Sequence, residues 1–80
     1  MATKSQHNKN YKHVPGFLRA LRDGAELTQR ELGKRLKKPQ SWVYNCETGN
    51  RRVDVAEFIA WARACAVDPA DAFARFLELL

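Results

Sequence analysis

The sequence predicts an all-α fold, a compact bundle of about five short helices, and three observations carry that expectation. Apolar residues recur at three- and four-residue spacing from Phe17 to Leu80, with no strand-like alternation. The periodic stretches are bounded by residues that start and stop helices, among them Thr28 with Glu31, Asp54 with Glu57, Pro39 and Gly49. A chain of 80 residues with 45% hydrophobic side chains holds one small core and leaves little area for a deep cleft.

The elements follow in order. Residues 1–13 are polar, rich in Lys, Asn, Gln, Ser and Thr, and read as a flexible basic arm; residues 14–80 read as the folded domain. Pro15 suits a first helical turn, and Phe17, Leu18 and Leu21 form the stripe of a helix ending near Gly24. Thr28-Gln29-Arg30-Glu31 is a capping box that opens a second helix, with Leu32 and Leu36 inward. Pro39 ends it, because proline disfavours helical geometry at the residue before. A third helix is expected from Gln40 to Thr48, closed by Gly49. Asp54 and Glu57 cap a fourth, with Val55, Phe58, Ile59, Ala62 and Cys65 as its core face. Asp68-Pro69-Ala70-Asp71 opens a fifth that carries Phe73, Phe76, Leu77 and Leu80.

Composition excludes several classes. No apolar run approaches the roughly 18 residues of a membrane span, and the polar N-terminus has no signal-peptide core, which predicts a cytoplasmic protein. Cys46 and Cys65 form no C-x-x-C pair and are expected to be buried free thiols. His7 and His13 have no ligand partners at metal spacing, so no metal and no cofactor is expected. Neither a nucleophile–base set nor a Gly-rich phosphate loop is present, so the chain does not read as an enzyme.

The formal net charge of +5 is unevenly spread. Lys4, Lys9 and Lys12 meet no acid in the arm, and basic residues dominate from 14 to 53. The last third is acidic, with Asp54, Glu57, Asp68, Asp71 and Glu78 against Arg63 and Arg75. This asymmetry suits one face to a polyanion.

The second and third helices, joined by Lys37-Lys38-Pro39, have the parts of a helix-turn-helix. Gly33 is the small residue at the crossing, and Leu32, Leu36, Val43 and Cys46 are the apolar set. At about 100° per residue, Val43, Cys46 and Glu47 share one sector of the third helix. The opposite sector presents Ser41, Asn45 and Thr48, flanked by Trp42 and Tyr44, with Gln40 at the entry. Amides and hydroxyls read base edges in a major groove, and Asn or Gln pairs bidentately with adenine. Gln40, Ser41, Trp42, Tyr44, Asn45 and Thr48 are therefore the candidate base contacts, Trp42 being equally suited to packing. Arg30, Lys34, Arg35, Lys37, Lys38, Arg51 and Arg52 bracket the helix as candidate phosphate contacts.

Leu27-Thr28-Gln29-x-Glu31-Leu32, Gln40-Ser41-x-Val43 and Glu47-x-Gly49-x-Arg51 together resemble the Cro/C1-type, or XRE-like, helix-turn-helix family. The resemblance implies a lambda-repressor-like domain that binds an operator in double-stranded DNA. It implies that Gln29 meets phosphate at a helix N-terminus, and that Arg22 pairs with Glu47. The chain departs from the pattern at Lys37, where the family has Gly, and at Pro39, where it has Ser or Thr. Gly33 replaces the usual Ala, at an expected cost of about 1 kcal/mol to its helix.

The leading expectation is thus a repressor-like transcriptional regulator. Two alternatives share the fold: an antitoxin-type protein that also binds a partner toxin, and a protein-binding module without DNA affinity. The apolar set Phe73, Phe76, Leu77, Leu79 and Leu80 is wide for a terminal helix. It suggests a homodimer on a palindromic site, with Leu79 and Trp61 as candidate interface residues.

Overall fold

The computed structural model describes residues 9–80, so the expectations for Lys4, His7 and the rest of residues 1–8 lie outside the described residues. A single 3-10 turn, Tyr11–His13, leads into α1 (Val14–Gly24). Then come α2 (Gln29–Leu36), α3 (Gln40–Glu47), α4 (Val55–Ala64) and α5 (Pro69–Leu77), and the described residues contain no strand.

The helix starts obey local chemistry. Thr28 and Asp54 each accept the N–H of the third helical residue, while Glu31 and Glu57 reach back to the cap N–H. Asp68 caps α5 in the same way through Asp71 N–H. The helix ends are less regular than the sequence suggests. Gly24 is the last residue of α1 and Gly49 follows α3 at φ 82°, both as expected, but three further left-handed positions fall on Glu26, Lys37 and Ala66, at φ 60°, 58° and 61°. In each case the following N–H bonds back five residues: Leu27 to Arg22, Lys38 to Gly33, Val67 to Ala62. This closes the helix as a Schellman motif does, with a residue that bears a side chain where glycine is usual.

The core gathers at the centre of the bundle around Leu18, Leu32, Val43, Cys46, Trp61 and Ala62, all fully buried. Trp61 donates its indole N–H to the Leu18 carbonyl at 3.0 Å, satisfying the one polar atom that so deep a ring brings inside. Two expectations fail here. Val55 is 77% exposed and so not on the core face of α4, while Trp61, at 0%, is sealed from any interface. Both cysteines are buried and free, and burial pushes the Cys65 thiol up to about 11.

The boundary of the arm also moves. Tyr11–His13 are part of the fold: the Tyr11 hydroxyl accepts the Val53 N–H at 3.0 Å, and its ring lies 4.0 Å under the Arg52 guanidinium. Among the described residues no helix is long and apolar enough to cross a membrane.

Candidate nucleic-acid interface

The interface is set by how closely α2 and α3 cross. Gly33 sits at the crossing, and a Cβ added there would lie 2.6 Å from the Lys38 carbonyl oxygen. The glycine is therefore required by the turn, in keeping with its expected place at the crossing, whatever it costs α2 as a helix former. Lys37 takes the left-handed conformation despite its side chain, and Pro39, extended at ψ 157°, directs the chain into α3.

Glu47 anchors α3 to the rest of the bundle. Its carboxylate accepts from Arg22 Nε at 2.6 Å and Nη2 at 2.9 Å, a bidentate pair whose side chains are 2% and 11% exposed. Arg22 Nη1 continues to the Leu27 carbonyl at 2.9 Å. The hydrogen bond to Glu47 raises the Arg22 guanidinium above its ordinary range, more than offsetting its burial. From Glu47 the network runs outward: Gln29 Nε2 donates to Glu47 Oε1 at 3.0 Å, and Gln40 Nε2 donates to Gln29 Oε1 at 2.7 Å. Gln29, implied to meet phosphate, is thus half-buried between an anchored carboxylate and the first residue of α3. Its bond holds the Gln40 amide at the helix entry.

Val43 and Cys46 are buried, and Ser41, Tyr44 and Thr48 are exposed, as the helical period requires. Asn45 is half-buried, with its Oδ1 accepting from Asn50 Nδ2 at 3.3 Å. Thr48 turns its hydroxyl back to the Tyr44 carbonyl at 2.9 Å, closing the helix end. Trp42 has packing partners: its ring centroid lies 6.2 Å from that of Trp61, and Lys38 and Arg51 stand 5.2 and 5.0 Å from it.

The basic residues divide by what they touch. Arg30, Lys34 and Lys37 are exposed and have no carboxylate partner among the described residues. Arg35 instead donates Nη1 to the Ala64 carbonyl at 2.8 Å, capping the end of α4. Arg51 donates Nη1 to Glu57 Oε1 at 3.1 Å and to the Arg52 carbonyl at 3.0 Å. The backbone bond from Asp54 and then the Arg51 bond hold the Glu57 carboxyl below its usual range. Arg52 is exposed, and its guanidinium donates to no acceptor of the described residues.

The sequence reading missed Asn50, Glu57 as a partner of Arg51, and Tyr11. A single aromatic residue beside Val14-Pro15 in an otherwise polar arm was the available signal for Tyr11.

Comparison with known proteins places this geometry. The family model described as a helix-turn-helix domain matches residues 16–77. No curated protein matches the chain. Among solved structures, an XRE-family like protein from Pseudomonas syringae pv. tomato str. DC3000 superposes with a TM-score of 0.82 at 37% identity, covering 98% of this chain and 95% of that one. With the capped α2, the glycine at the crossing and the Arg22–Glu47 anchor already in place, the chain belongs to the XRE-type helix-turn-helix family.

Proposed function

We propose that this protein binds double-stranded DNA in a sequence-specific manner, lays α3 in the major groove, and acts as a repressor-like transcriptional regulator in the cytoplasm. The observation that carries this reading is the outward face of α3. Its one carboxylate, Glu47, is turned inward onto Arg22, so Gln40, Ser41, Tyr44 and Asn45 present amides and hydroxyls alone. Around that face stand cations without acidic partners, Arg30, Lys34 and Lys37 on one side and Arg52 on the other. Lys38 and Arg51 add charge above Trp42, and Lys4, Lys9 and Lys12 extend the basic set along the N-terminal segment. The reading needs neither cofactor nor catalysis.

The protein acts on DNA as a homodimer on a palindromic operator, with half-sites about one helical turn apart. Apolar residues of α5 and the C-terminal turn support this, since Phe73, Leu77, Leu79 and Leu80 are each about half exposed. Duplex binding tested across ionic strength checks the reading. If about six to ten phosphates are neutralised, affinity falls roughly 10³- to 10⁵-fold between 50 and 200 mM salt. A flat salt dependence, or no duplex binding at low salt, contradicts it.

A further inference from the structure

Three tethers converge on the short segment that follows α3. The Arg51 N–H donates to the Asn45 carbonyl at 3.2 Å, tying the segment to the recognition helix. The Arg51 guanidinium holds the Arg52 carbonyl at 3.0 Å. The Val53 N–H donates to the Tyr11 hydroxyl at 3.0 Å, across 42 residues of sequence. Arg52 therefore has a fixed backbone on both sides. Its side chain has a platform as well, because the guanidinium stands 4.0 Å from the centroid of the Tyr11 ring.

A guanidinium over an aromatic ring uses its face for the contact and keeps its N–H donors, which lie in its plane, for a planar acceptor. No acceptor of the described residues takes those donors. The cation is exposed, yet it rests against a ring that favours one placement of a side chain with many rotamers.

We propose that Tyr11 is a positioning residue for a phosphate contact: its ring and hydroxyl together pre-form Arg52 as a clamp for one backbone phosphate beside the C-terminal end of α3. This rests on the DNA-binding reading above. Pre-ordering removes the cost of immobilising the arginine at the moment of binding, a cost that corresponds to about a 2- to 12-fold change in affinity. Tyr11 then contributes to DNA affinity without itself touching DNA, and it does so equally for every sequence, because phosphate contacts carry no base information.

The test uses the full chain and a single duplex, titrated from low to moderate salt, with thermal melts run in parallel. Arg52→Ala is expected to reduce the slope of log affinity against log salt by about one phosphate. Tyr11→Leu, which removes both ring and hydroxyl, is expected to lower affinity about 2- to 12-fold. Tyr11→Phe keeps the platform and is expected to retain most of the affinity. In the Arg52→Ala background, Tyr11→Leu should have no further effect on affinity, whereas a general loss of structure would weaken binding in both backgrounds. An unchanged salt slope in Arg52→Ala, or equal effects of Tyr11→Leu with and without Arg52, overturns the proposal while leaving wild-type duplex binding intact. Absence of wild-type duplex binding overturns the DNA-binding reading itself.

Discussion

Glu47 is a carboxylate almost without solvent, and its oxygens are met by donors from two other helices. Two nitrogens of Arg22 and one of Gln29 donate to its oxygens, so removing a single partner leaves a buried charge exposed to its own desolvation cost. Arg22→Met or Glu47→Leu alone should cost on the order of 3–5 kcal/mol in chemical unfolding, while the double replacement costs less. Singles that melt with the wild type would mean that the pair does not anchor α3. The pair was legible in the sequence through the family resemblance and the inward phase of Glu47. The Gln29 and Gln40 steps were not, because side-chain amides that meet across two different helices leave no periodic signal. Trp61 was misplaced for a related reason. Its size and single polar atom suit a surface as well as a core, and only the Leu18 carbonyl decides between them.

At the scale of elements, helix starts were readable, and helix ends were readable where glycine marks them: α1 ends at Gly24, and Gly49 follows α3 at φ 82°. A capping box is a local exchange of hydrogen bonds within four residues, so Thr28 to Glu31 and Asp54 to Glu57 declare themselves. A left-handed end on a non-glycine residue is imposed by packing: Glu26 and Ala66 carry no mark of it, and Lys37 shows it only as a departure from the family's glycine. Gly33 shows the same conflict between local and tertiary demands. Alanine is the better helix former by about 1 kcal/mol, yet its Cβ would meet a backbone oxygen at 2.6 Å. Steric cost in such a crossing is about 1–3 kcal/mol. Gly33→Ala should therefore destabilise the protein on balance. Lys37→Gly, which relieves the left-handed strain, should stabilise it by about 1 kcal/mol or more while reducing DNA affinity through the lost charge. A stabilised Gly33→Ala would mean that the two helices cross less closely than described.

For the whole molecule, charge and apolar surface are segregated along the chain. Basic residues outnumber acids along α2, α3 and the segment after it, whereas the stretch from Asp54 onward, with α4 and α5, is net acidic and carries the half-exposed Phe73 and Leu77. The same division keeps the proposed dimer contact away from the polyanion. Sedimentation of the protein with a palindromic duplex should give two chains per duplex; one chain per duplex at saturation would remove the dimer. That segregation was visible in the sequence. The tie between Tyr11 and Val53 was not, since the two are 42 residues apart.

The central claim is that the outward face of α3 reads bases, and Asn45 tests it most directly. Asn50 donates to the Asn45 side-chain oxygen, and the Asn45 amide N–H groups are donors suited to an acceptor on a base edge. The measurement is a competition between a duplex selected from random sequence and a scrambled duplex, at one salt concentration, for wild type and Asn45→Ala. The account predicts a loss of about 1–3 kcal/mol on the selected site, relaxed preference at one base pair per half-site, and unchanged binding to the scrambled duplex. Equal affinity of Asn45→Ala and wild type for the selected site would contradict it.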